Sequence, residues 1–135
     1  MIERRHYPDL DLIVHRVVGE LDVEAFRDAG EALYAMEPVP KLSLWDLREA
    51  SLTQFTVARI RSVQADLGGR VRGREEGRTA VVVAEDFEYG VSRQYTAYSE
   101  GLDLPFQQES FRSLDEALEW LGVDKGRLEE GSKGS

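Results

Sequence analysis

Leu42-Ser43-Leu44-Trp45-Asp46-Leu47 has apolar side chains at four of six positions, the density expected of a central strand covered on both faces. The segments on either side say what covers it. Upstream, Val23, Phe26, Ala29, Leu33 and Met36 recur at helical spacing, with Asp22 placed to cap the start and Pro38 and Pro40 to close the end. Before that helix, Leu12-Ile13-Val14-His15-Arg16-Val17-Val18 reads as a strand, and Tyr7-Pro8-Asp9 as the turn joining it to a short opening strand. An antiparallel hairpin therefore begins the chain.

Downstream, Thr53 or Thr56 caps a second helix whose Val57, Ile60, Val63 and Leu67 form one stripe, ended by Gly68-Gly69. An Arg- and Gly-rich loop leads to Ala80-Val81-Val82-Val83-Ala84, the strongest strand signal in the sequence. Glu85-Asp86 opens a third helix that runs to about Ser99 and closes at Gly101. Pro105 to Phe111, with its proline and high polar content, suits a shorter strand near the sheet edge. Ser113 and Glu116 form a capping box for a last helix with Leu114, Ala117, Leu118 and Leu121 inward and Gly122 as its stop.

The order β-β-α-β-α-β-α-β-α predicts an α/β fold: one mixed, mostly parallel five-stranded sheet with about four helices packed on it. Residues 1–123 make one domain. Residues 124–135 are Gly, Ser, Glu and Lys with almost no apolar anchor, and a flexible tail is expected there.

The composition narrows the function classes. With no cysteine in 135 residues, thiolate metal sites, iron–sulfur clusters and cysteine nucleophiles are excluded. Seventeen Lys and Arg against 26 Asp and Glu give a net charge of −9, which repels nucleic acid and anionic membrane at long range. No run approaches the roughly 18 apolar residues of a membrane helix, and the N-terminus lacks a signal-peptide core, so a cytoplasmic location without membrane insertion is expected. Two histidines leave little material for imidazole chemistry, and no catalytic or nucleotide-binding motif is present. Neither an enzyme, a cofactor nor a metal is expected.

Ile13 to Leu21, Leu44-Trp45-Asp46-Leu47-Arg48, Tyr89-Gly90-Val91-Ser92-Arg93 and Phe111 to Leu121 together resemble the bacterial SpoIIAA-like proteins of the STAS/SEC14 superfamily. The resemblance implies a sheet packed by helices in the manner of anti-sigma factor antagonists, which bind a partner protein and are switched by serine phosphorylation. It sets the switch motif on Gln54-Phe55-Thr56-Val57, where only Thr56 keeps a hydroxyl. Phosphate on Thr56 would meet free N–H groups at a helix N-terminus; the alternative role is capping.

Other candidates come from position. His15 lies on the strand face of Ile13 and Val17, as a ligand-contacting imidazole or a half-buried structural one. Asp46 falls near the end of a parallel strand, where open sheets place ligands, and is equally placed to pair with Arg48. Arg59, Arg61, Arg70, Arg72, Arg74 and Arg78 concentrate positive charge, but interrupting acids and the lack of aromatic platforms favour a solvated loop. In the third helix Phe87, Val91, Tyr95 and Tyr98 should face the core, leaving Tyr89 and Arg93 for a partner or ligand.

The leading expectation is a regulatory interaction module that lacks the phosphoserine motif, and a ligand carrier is the alternative. A non-catalytic interaction module, with a protein partner or a second copy as homodimer, predicts an exposed apolar patch on the third helix and no sizeable cavity. A carrier or sensor of a small apolar, lipid-like molecule predicts a cavity lined by residues such as Trp45, Phe87, Tyr95 and Phe106.

Overall fold

A computed structural model describes residues 1–128 of the chain. Strand β1 (Ile2–Tyr7) pairs antiparallel with β2 (Leu12–Glu20) through a single 3-10 turn at Pro8–Leu10, so the hairpin forms as its turn residues predict. Helix α1 (Val23–Tyr34) starts at Asp22, whose Oδ1 accepts from the Glu24 N–H at 2.9 Å. Then follow β3 (Leu42–Ser51), α2 (Val57–Gly68), β4 (Arg78–Val82), α3 (Asp86–Gly101), β5 (Gln107–Phe111) and α4 (Leu114–Leu121). The sheet order is β1-β2-β3-β4-β5, with β2 through β5 mutually parallel, as the element order implies. Residues 125–128 add one helical turn, and Leu128 packs against the cluster under α4. The remainder of the expected tail lies outside the described residues.

The strands lie in chain order, so the three crossover helices fall on one face. Val17, Trp45, Leu47 and Val83 of the sheet meet Val23 of α1, Ile60, Val63 and Leu67 of α2, and Val91 of α3. On the other face Leu12, Leu44, Ala80 and Val82 pack against Ala117, Leu118 and Leu121 of α4. Ser113 Oγ accepts from the Glu116 N–H at 3.3 Å, and Gly122, at φ 75°, ends α4 in the left-handed conformation that favours glycine.

Three expectations need correction. Val57 does not join the α2 stripe and is 40% exposed. The residue before the Thr56 cap, Phe55, takes its place in the core beside Ile60, the geometry of a hydrophobic staple. Of the expected α3 stripe only Phe87 fails, at 55% exposed: Val91 is buried, Tyr95 and Tyr98 pack against the core, and Glu88 is the buried residue of the first turn. Ser92, Thr96 and Ser99 are buried as well, and these small polar residues let α3 sit close on β5, with Ser92 Oγ 2.5 Å from Ser110 Oγ. Arg74 does not lie in a solvated loop: it is 1% exposed, and its guanidinium donates to the carbonyls of Lys41 and Arg78 at 2.9 and 3.0 Å.

Arg74 thereby ties together the starts of β3 and β4, which the Arg78 N–H to Lys41 C=O bond of 3.0 Å also joins. Gly77 makes that approach possible. A Cβ there would lie 2.5 Å from the Lys41 carbonyl oxygen and 2.9 Å from that of Arg74, both backbone atoms. Gly77→Ala should therefore destabilise the protein by about 2 kcal/mol or more in urea unfolding, the range of overpacking against fixed atoms; an unchanged midpoint would contradict this account of the strand starts.

Candidate functional site

The face of the sheet under α1, α2 and α3 carries two cross-strand rows. Ile13, Ser43, Thr79 and Gln108 form the first, near the starts of the parallel strands, and His15, Trp45, Val81 and Ser110 the second. Above the rows, the helices bring small or slender groups inward. Gly30 of α1 meets Leu67 of α2 so closely that a Cβ would lie 2.7 Å from its side chain. Between sheet and helices remains a cavity of about 90 Å³.

Its walls are mainly apolar. Leu21, Leu47, Leu52, Phe55 and Val91 line the end toward the strand C-termini, while Phe26 connects Trp45, Phe55 and Tyr95 through ring contacts of 4.8, 5.6 and 5.5 Å. At the opposite end Val71, Leu102, Leu104 and Phe106 are partly or fully exposed and form the route to solvent. Polar atoms converge on the interior. Both nitrogens of His15, Ser43 Oγ, Thr79 Oγ1, Gln64 Oε1, Gln108 Oε1 and Arg74 Nε are buried there without a hydrogen-bond partner among the described residues. An apolar cavity with a few convergent polar groups is the usual form of a small-molecule site.

Of the residues singled out in the sequence, His15, Trp45 and Tyr95 meet in this cavity, as does Phe106. The His15 ring stacks on Trp45 at 4.1 Å and 12°. Asp46 and Arg48 lie elsewhere, on the α4 side, joined by two 2.9 Å hydrogen bonds. Burial by itself would raise the Asp46 carboxyl, but the Arg48 hydrogen bonds and charge outweigh it and hold the group below its ordinary value. Phe87, Tyr89 and Arg93 stand on the outer part of α3: the Arg112 guanidinium lies over the Tyr89 ring, and Arg93 reaches Glu109 at 3.9 Å. Thr56 is exposed at the N-terminus of α2, its hydroxyl accepting from the Arg59 N–H at 3.3 Å. Among the described residues no group of three His, Cys, Asp or Glu could hold a metal, and no helix is long and apolar enough to cross a membrane.

Sequence reasoning missed Gln64, Arg74, Ser43, Thr79 and Gln108. For Ser43 a signal existed, a polar position between Leu42 and Leu44, whereas Thr79 follows Arg78 and Gln108 lies between Gln107 and Glu109, so only the parallel register brings them into line with it. Gln64 sits one helical turn after Ile60 and one before Leu67, inside the apolar stripe, and its Nε2 donates to the Tyr95 carbonyl and Ser99 Oγ, both at 2.5 Å. Nothing local marks Arg74 among its neighbouring arginines.

Burial, and then the charge of Arg4, its cross-strand partner, lower His15 from 6.5 to about 4. The imidazole is neutral at pH 7, and because its folded pKa lies below its unfolded one, stability falls as pH drops through 6.5 toward 4. His15→Phe keeps a ring against Trp45 and removes the titration. Relative to wild type, the variant should gain about 2 kcal/mol of stability between about pH 7.5 and pH 5, read by urea unfolding at each pH. An equal loss in both proteins would show that His15 is not the buried group that titrates.

No protein-family model and no curated protein matches the chain. Among solved structures, it is similar to an uncharacterized DUF3478-family protein with a SpoIIAA-like fold from Shewanella loihica PV-4. That likeness has 20% identity and a TM-score of 0.53, over 90% of this chain and 92% of the other. A second similar structure is the anti-sigma factor antagonist SpoIIAA in its unphosphorylated form, at 16% identity and TM-score 0.47, over 90% of this chain and 98% of that one. The sequential sheet, its three-helix face and the first of these likenesses establish that the chain has a SpoIIAA-like fold.

Proposed function

We infer that the protein is a non-catalytic binder of a small, largely apolar molecule held between the sheet and helices α1 to α3. The observation that carries this reading is the cavity itself, apolar in wall and supplied with buried polar atoms that the protein does not pair. Buried polar groups in proteins are nearly always hydrogen-bonded, so a cluster of exceptions around one opening is best understood as a set of contacts for a ligand. The volume bounds the guest: at about 90 Å³ the cavity is smaller than the roughly 150 Å³ engineered cavity that takes up benzene, which is the scale of a short chain or one ring.

A second reading, docking to a protein partner, is favoured by one feature, the exposed Phe87 with Tyr89 and Arg93 near it on α3. Aromatic and arginine side chains together are the usual anchors of interfaces. The two readings use opposite sides of α3 and are compatible in a sensor that reports occupancy to a partner.

Benzene serves as a neutral probe of the cavity. In benzene-saturated buffer, NMR shifts should move at the Trp45 indole, the Val91 and Leu52 methyls and the Phe55 ring, and stay fixed at Phe87 and under α4. Movement confined to Phe87 would favour the partner surface, and no movement at all would reject the cavity as a site.

A further inference from the structure

Among the described residues Arg74 is the one cationic side chain lining the cavity, and no carboxylate there neutralises it. The guanidinium is 1% exposed, and among the described residues no carboxylate lies within ion-pair distance. Nη2 is engaged by the Lys41 and Arg78 carbonyls, and the Phe106 ring lies 4.3 Å from the guanidinium carbon. Burial pulls the group below its ordinary value, while the Tyr34 hydroxyl and, to a smaller extent, Asp11 act in the opposite sense. Arginine nonetheless stays charged in proteins. Burying a cation carries a desolvation penalty that two neutral carbonyls and an aromatic face offset only in part. A negative charge is the partner such a group lacks.

The neighbouring atoms suit an anion. Arg74 holds the carbonyls of Lys41 and Arg78, two residues before Ser43 and one before Thr79 of the first cross-strand row, and its unpaired Nε and the hydroxyls of Ser43 and Thr79 belong to the lining of the same cavity. Those three groups can all donate. The apolar groups lie farther along the strands, around Trp45, Phe55 and Val91. One cation matches one negative charge; a phosphate monoester, with nearly two, would leave an excess charge in an apolar chamber.

Resting on the reading of the cavity as a binding site, we propose that its ligand is a small organic carboxylate, whose charged end meets Arg74, Ser43 and Thr79 and whose apolar body lies over Trp45. The acid enters past Leu102, Leu104 and Phe106, apolar body first, and its carboxylate stops at the row nearest the strand starts.

Matched pairs of probes test this: sodium butyrate against 1-butanol, and sodium benzoate against benzyl alcohol, each titrated into the full chain and followed by NMR at Trp45 and Thr79. Each carboxylate should bind about tenfold or more tightly than its alcohol, the gain expected of a charge-assisted contact over a neutral one. In Arg74→Met that preference should vanish while alcohol binding persists. If Arg74→Met does not fold, Thr79→Val serves instead, weakening the acids several-fold and leaving the alcohols unchanged. Alcohols binding as tightly as acids to the wild type would overturn the anionic ligand and leave the cavity reading intact. Failure of acids and alcohols alike would reject the cavity reading itself. A preference that survives loss of Arg74 would remove that residue from the site.

Discussion

Strands laid down in chain order constrain everything else in this protein. Because β2, β3, β4 and β5 are parallel and sequential, each crossover repeats the same step with the same hand, and each helix lands on the same face. Three helices must then share the width of the sheet, while α4, which follows the last strand, is left to cover the other side alone. Crowding on the first face is relieved by small residues at the points of closest approach. Gly30 admits Leu67, and Ser92 admits Ser110. Where such residues coincide with polar strand positions, the layers do not close, and a chamber remains.

The chamber is costly as a piece of core. Two nitrogens of His15 and one atom each of Ser43, Thr79, Gln64, Gln108 and Arg74 make seven unpaired polar atoms around it. At about 1–3 kcal/mol apiece, leaving them all unpaired would rival the roughly 5–15 kcal/mol by which a whole domain is stable. Apolar residues of similar size at these positions would give an ordinary interior. On the proposed reading, a bound ligand supplies the partners that these groups lack within the protein.

Sequence patterns resolved the scaffold because helices and strands are written in local periodicity. Caps at Asp22, Thr56 and Ser113, stops at Gly101 and Gly122, and the hairpin turn at Pro8 all depend on neighbours within a few residues. The site was legible only in part. His15, Trp45 and Tyr95 stand out as single residues, whereas their meeting with Ser43, Thr79 and Gln108 depends on strand register, which no local stretch contains. Arg74 was hidden for a different reason. Its burial follows from the backbone of Gly77 and from the Lys41 carbonyl 33 residues upstream, and in sequence it looks like any arginine of a charged loop. Of the α3 stripe only Phe87 was misplaced: Val91, Tyr95 and Tyr98 face the core, and in the first turn Glu88, whose carboxylate accepts from the Leu52 N–H, takes the buried place.

The two faces of the sheet differ in what they can tolerate. Beneath α4, leucine, valine and alanine pack together, the buried Asp46 on that side is paired with Arg48, Phe111 touches Trp120 at 5.6 Å, and the Arg78 guanidinium covers the Trp120 ring. That face can hold the strands in place on its own packing. The helical face, relieved of some of this task, can keep polar atoms unpaired and a volume unfilled. Arg74 belongs to both regimes, since one side of its guanidinium fastens the starts of β3 and β4 and the other borders the chamber. The proposed ligand, pairing with Arg74, would therefore sit where the central strands begin, on the side chain that already fastens them.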